Sequence, residues 1–410
     1  MINNRLTVAL VFGTTILYGC GGQNQKNSTD EKSSAIATEL ASGSRHDARW
    51  DGPNSPHLMD TYVGGQGYNY QFAELPTNGS LSNRPWSGGY WPTYEGGITN
   101  RWALGGASGA ERYGYSLLTQ SQIESEDLRY LSPAEKFDLL LGRYSFDYTR
   151  RERQRTQILR TVPGSSSYDP GYSIPRWEGL CHAWAPATLA FEEPKPITVR
   201  TGNGLIIPFG SSDIKALLTY FLHERDASTR FLAKRCNVDL DDLNARYRRG
   251  EISRSYYMSQ RSACADTNAG AFHIVLANQV GILNEGFIAD VDREAEVWNQ
   301  AVHRYTSRVV DTREGASSGA APGTVKEVRV KTRMFYTQEI QYSWELPTWQ
   351  PNYYKDYDYW LELSATGEIL GGEWASEDAD RPDFLWKQST PEFTGDYAML
   401  KRLYDLSIKQ

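Results

Sequence analysis

Trp177-Glu178-Gly179-Leu180-Cys181-His182-Ala183-Trp184-Ala185-Pro186 is the stretch on which the reading of this chain turns. Gly179 favours a turn just ahead of Cys181, and the small, apolar run that continues to Ala190 suits a buried helix. A cysteine brought by a turn to the first position of a helix meets unpaired backbone amides and the positive end of the macrodipole. Both favour thiolate over thiol. The same amides can donate to an oxyanion during acyl transfer. Trp177 is a candidate to cover the sulfur or join that donation. Most free cysteines are small buried hydrophobes, so the remaining cysteines have to be weighed.

The chain has 4 cysteines. Cys20 closes Leu17-Tyr18-Gly19-Cys20 after Arg5 and the apolar run Leu6 to Leu17, which reads as an export signal ending in a bacterial lipobox. Residues 1–19 are then a signal peptide, Cys20 takes lipid, and that anchor is the expected contact with a membrane. The protein is expected at the outer membrane or cell surface, or secreted. Cys236 and Cys264 flank a polar insertion and are expected to pair as a disulfide stapling its ends. Cys181 is left as an unpaired thiol in an oxidising compartment, which favours a nucleophile.

A thiolate needs a base, and the chain has 6 histidines. His182 adjoins Cys181, and neighbouring side chains on a helix diverge. His273 stands inside Gly270-Ala271-Phe272-His273-Ile274-Val275-Leu276-Ala277, read as an apolar strand, and is the expected base. A third, acidic member would orient the imidazole from the returning strand Gly286 to Arg293. Asp290 and Asp292 share strand parity. A turn near Leu283 and Asn284 favours Asp292, and a bulge favours Asp290.

Around this centre the chain is organised as one unit. Residues 20–45 form a polar, Ser-rich linker, and 46–130 a Gly- and aromatic-rich, turn-rich region. Residues 131–325 are the expected catalytic core, with a β-rich part at 326–410. Ser132-Pro133-Ala134-Glu135 is a capping box with proline at the first helical position. A second helix follows Ser211-Ser212-Asp213, residues 236–264 read as exposed helix, 271–281 and 286–310 as a hairpin, 326–375 as strands, and Tyr397 to Ile408 as the last helix. Helix and strand mix without βαβ spacing, so the class is α+β. A net charge of −7 over 410 residues argues against a nucleic-acid partner.

Glu296-Val297-Trp298-Asn299-Gln300-Ala301-Val302 is very similar to the surface peptide that names the transglutaminase elicitor family, secreted oomycete transglutaminases with bacterial relatives. The segment around Cys181 resembles that family's nucleophile segment, and Gly270-Ala271-Phe272-His273 its histidine strand. Tyr359 to Leu363, Gly371-Gly372-Glu373-Trp374 and Pro382 to Trp386 resemble its C-terminal signature. The resemblance implies a papain-like fold, with the nucleophile helix packed on an antiparallel sheet, and protein-glutamine γ-glutamyltransferase activity assisted by calcium. It implies protein substrates bearing Gln and Lys, with Cys181, His273 and Asp290 as triad and Trp177, Trp184 and Trp298 as candidate walls. There is no EF-hand pattern; Glu377, Asp378 and Asp380 are a candidate calcium cluster or a solvated loop. A cysteine protease or glutamine deamidase with the same triad, and a non-catalytic surface binding module, stay open as other classes.

Overall fold

The computed structural model describes residues 52–60, 67–102, 109–233, 238–263, 266–291, 296–341, 344, 352–376 and 379–409. Cys20, Cys236, Cys264, Asp292, Glu377 and Asp378 lie outside the described residues, and with them the expected lipid anchor, the expected disulfide and most of the acidic cluster. Among the described residues no helix is long and apolar enough to cross a membrane.

The helices that matter are α1 (Pro133–Leu140), α2 (Asp147–Thr156), α3 (Cys181–Ala190), α4 (Ser211–Glu224), α5 (Leu240–Arg248), α6 (Arg254–Ala263), α7 (Ala269–Leu276) and α8 (Tyr397–Ser407). The strands are β1 (Asn78–Ser80), β2 (Ile197–Arg200), β3 (Ile206–Phe209), β4 (Thr229–Leu232), β5 (Phe287–Asp290), β6 (Asn299–Glu314), β7 (Lys326–Thr337), β8 (Tyr353–Leu363), β9 (Ile369–Trp374) and β10 (Leu385–Gln388). β2 and β3 form a separate hairpin. The others make one 8-stranded sheet in the order β4-β10-β5-β6-β7-β8-β9, with β1 added to β6. Every pairing in it is antiparallel. The centre of the sheet is the long β6–β7 hairpin, whose register shifts between Val302 and Arg304 and again between Val309 and Asp311. The mixed α+β class is therefore observed.

The sheet is covered on both faces, which is why β5 is buried at all four positions rather than at alternate ones. Ile288 and Trp386 join one core with Leu180, Trp184, Leu217 and Phe221 of the α3–α4 layer. Phe287, Ala289 and Leu385 join the other with Phe272, Ile274 and Val275 of α7. The aromatic N-terminal stretch is split the same way: Trp86, Trp91 and Trp102 enter the first core, Met59, Tyr68 and Leu75 the second.

Local chemistry explains the helix starts. Ser132 Oγ accepts the Glu135 amide at 3.2 Å while the Ser132 amide donates to Glu135 Oε2 at 3.0 Å, closing the box expected for α1. In α4 the Asp213 carboxylate accepts the Gly210 amide at 2.7 Å, the Trp102 indole at 2.8 Å and the Lys136 ammonium at 2.5 Å, tying α1 to α4 inside the core.

One expectation fails here. Residues 271–276 are not a strand but part of α7, which runs on as a π-helical turn from Ala277 to Ile282. Asn268 Oδ1 caps α7, accepting the amides of Gly270 at 2.9 Å and Ala271 at 3.2 Å. A short run that is apolar on all sides fits a fully buried helix as well as a buried strand. Gly270 lies against the backbone of Gly371 and Gly372 on β9, where a Cβ would collide with the Gly371 carbonyl, so only glycine lets helix and strand approach this closely.

Candidate functional site

Cys181 is the first residue of α3 and only 1% exposed. The turn ahead of it is clamped by a strap of the N-terminal region. The Leu180 amide donates to Tyr90 O at 2.7 Å, the Thr93 amide to Glu178 O at 2.8 Å, and Tyr90 OH to Arg176 O at 2.7 Å. Gly179 is required by that fit, because a Cβ would stand 2.5 Å from the Tyr90 ring and 2.8 Å from its carbonyl oxygen. The cysteine is thus held at a helix start, as its sequence context implies.

Opposite the sulfur lies the beginning of β6. Cys181 Sγ is 3.6 Å from Val297 O, to which the thiol donates, and 3.5 Å from Asn299 Nδ2, from which it accepts. The Asn299 amide is fixed in turn by the Trp386 indole of β10, which donates to Oδ1 at 2.8 Å. Asp290 faces Asn299 across the β5–β6 ladder and is completely buried; its Oδ1 accepts the Trp298 amide at 3.3 Å. Directly opposite residues in a ladder point to the same face, so Cys181, Asn299, Trp386 and Asp290 gather on one face of the sheet.

His273 is on the other face. Its Nδ1 is 2.8 Å from Tyr359 OH, which is 2.6 Å from Thr332 Oγ1, and its ring lies 6.0 Å from that of Phe72. Tyr359 belongs to the α7 core, and Phe72 packs against it. The papain-like expectation of Cys181 facing His273 is therefore corrected: the sheet stands between them. Burial pushes the His273 imidazole down to about 4. The expected partner strand carries Asp290 to the cysteine face, while Asp292 is outside the described residues.

His182 turns away from its neighbour and meets His223 of α4, Nε2 to Nδ1, at 3.0 Å. Burial lowers His182, with Arg155 adding to the effect and the Cys181 charge opposing it. Burial, His182 and Arg155 together push His223 down to about 2. This pair is neutral and linked behind the thiol. Of the expected walls, Trp184 is fully buried in the α3–α4 core, a packing residue rather than a surface gate. Trp177 is half-buried in the turn before Cys181. Trp298, also half-buried, follows Val297 and meets the Tyr90 ring edge-on at 5.9 Å.

The sequence reading missed Asn299 and the contact role of Trp386. Both stand in segments it singled out, but nothing local in either says that it meets Cys181. A cleft of about 510 Å³ opens toward the far end of α3, lined by Leu189, Asn284, Glu285 and Lys387 among others; Cys181 is not on its wall. Among the described residues no three His, Cys, Asp or Glu side chains converge as metal ligands. Asp380, the described member of the acidic cluster, pairs with Lys355 at 3.6 Å.

Residues 58–396 match the family model described as Transglutaminase elicitor. A similar solved structure is the crystal structure of the GP42 transglutaminase from Phytophthora sojae, with 25% sequence identity and a TM-score of 0.59 over 84% of this chain and 95% of that chain. No curated protein matches the chain.

Proposed function

The chain belongs to the transglutaminase elicitor family, and from that premise we propose that it is a protein-glutamine γ-glutamyltransferase working through Cys181. One observation carries the reading: the sulfur sits at the start of α3 between an acceptor, Val297 O, and a donor, Asn299 Nδ2. The thiolate attacks the side-chain carboxamide of a protein glutamine. The C–N bond breaks, ammonia leaves with a proton, and a thioester remains. A lysine amine then attacks that carbonyl, the C–S bond breaks, and the electron pair returns to sulfur as the isopeptide forms.

Proton transfer is assigned to Asp290, which shares the sulfur's face and faces Asn299 across the ladder, while His273 has its own partner on the opposite face. The positive end of the α3 macrodipole, at whose first residue Cys181 stands, favours the oxyanion. Trp298 and Tyr90 close the sulfur from water, which favours amine over hydrolysis. Export and lipidation at Cys20 belong to the same proposal. Calcium assistance enters only as an arm of the test.

The test is incorporation of a labelled primary amine into a glutamine-bearing protein, with and without calcium, by wild type and Cys181→Ala. Label transfer by wild type alone, without cleavage of the acceptor, is the expected result. Cleavage without label would replace the proposal with a cysteine protease, and ammonia release without label with a deamidase.

A further inference from the structure

Asn299 touches the sulfur through an amide whose two ends look alike in shape but differ in chemistry. The indole N–H of Trp386 is a donor only. Its 2.8 Å contact therefore has to be made with Asn299 Oδ1, which turns Nδ2, a donor, to the 3.5 Å contact with Sγ. All three side chains are buried, with Cys181 1%, Asn299 2% and Trp386 5% exposed, so water is not available to replace either bond. Trp386 is itself pinned, stacked on Phe231 with ring centroids 5.8 Å apart at 20°.

We propose that Asn299 is a thiolate-holding residue of the site and that Trp386 is a positioning residue acting through it, a two-bond relay that keeps the amide donor turned to Cys181. In the thiol form the S–H donates to Val297 O. When the proton leaves, the sulfur keeps the Asn299 N–H and stays in the field of the α3 N-terminus. A hydrogen bond to the charged form favours that form. If the amide flipped, Oδ1 would face the sulfur and repel a thiolate. The indole prevents the flip, which gives a buried tryptophan a reason to occupy this place. The inference concerns the state of the thiol and rests on the transglutaminase reading only for which reaction that state serves.

The experiment follows the ultraviolet thiolate band against pH, as the difference from Cys181→Ser, in wild type, Asn299→Leu, Trp386→Phe and the double variant. His182 and Tyr90, whose charges couple to Cys181, and Asp290, which faces Asn299 in the ladder, are unchanged throughout, so a moved midpoint reports the amide. Loss of a hydrogen bond to a charged group predicts a midpoint raised by about 1–2 pH units in Asn299→Leu. Trp386→Phe should move it the same way by less, and the double variant no further than Asn299→Leu alone. The double variant strands neither a buried donor nor a buried acceptor, so it supplies folded protein if a single variant does not. An unmoved midpoint in Asn299→Leu or in the double variant overturns the holding role. Shifts that add in the double variant, or none in Trp386→Phe, overturn the relay. Raised midpoints in a protein that never forms a thioester with a glutamine peptide would leave this inference standing and remove the proposed function instead.

Discussion

Replacing His273 with asparagine separates a catalytic histidine from a structural one. Asparagine keeps a polar atom near the place of Nδ1, so the bond to Tyr359 can be partly retained while the rest of the ring is lost to a small void. The cost at pH 7.5 should be about 1–2 kcal/mol, from the void and a weakened hydrogen bond. The acid side should behave oppositely. Burial lowers the folded-state pKa of His273 from 6.5 to about 4. The unfolded chain therefore binds a proton that the folded chain refuses, and stability is lost as pH falls from 6.5 toward 4. At pH 4.5 that loss amounts to about 2.5 kcal/mol in the wild type and is absent from the variant. Other buried groups, such as His303, also lowered to about 4, are common to both proteins and cancel in the difference. Urea unfolding at several pH values should thus find the variant weaker at pH 7.5 and equal to or stronger than wild type at pH 4.5. Thioester formation at pH 7.5 by the folded variant should stay within a few-fold of wild type. A fall of about 100-fold, the scale of a lost general base, would refute the separation of His273 from Cys181 by the sheet.

Three further outcomes follow from the same geometry. Asp290→Asn should lower glutamine-dependent thioester formation by about 100-fold or more with thermal stability little changed; burst kinetics with a glutamine peptide checks it. Gly179→Ala drives a Cβ against the Tyr90 ring and carbonyl, and should cost about 1–3 kcal/mol, read as a lower urea midpoint. Lys136→Met strands the Asp213 carboxylate in a site where both partners are fully buried, and should destabilise by about 3–5 kcal/mol in the same assay. An unchanged midpoint would mean that the Trp102 and Gly210 donors alone satisfy that carboxylate.

What could be read from one sequence was what depends on neighbours along the chain. Ser132 and Glu135 cap α1 because the box is complete within four residues, and the last helix, expected from Tyr397 to Ile408, runs from Tyr397 to Ser407. The strands expected over 326–375 are β7, β8 and β9. Cys181 at a helix start also follows from a local turn and a local run of small residues. The failures are of a different kind. Gly270 to Ala277 carries no period that separates strand from helix, and the deciding residue, Asn268, lies just outside the apolar run as its cap. Reading that asparagine as a cap would have turned the segment into a helix and removed the hairpin count on which Asp292 depended.

The partners of Cys181 lie at long range. Asn299 comes from 118 residues away and Trp386 from 87 beyond that, and neither separation is written in spacing or periodicity. What joins them is the order of the sheet, in which β10 and β6 flank β5. The same order sets the face on which each side chain falls, and at this site the face decides the chemistry. Ile288 and Phe287 are neighbours in sequence yet belong to different cores, and Asp290 reaches the cysteine side because it shares the parity of Ile288. Histidine is the residue type best suited to draw a thiol proton near neutral pH. At His273 it sits in the α7 layer with the sheet between it and the sulfur. Residue type names the candidates for this chemistry, but only the faces of the sheet sort them, and the face that holds Cys181 also holds a carboxylate, Asp290, and an amide, Asn299.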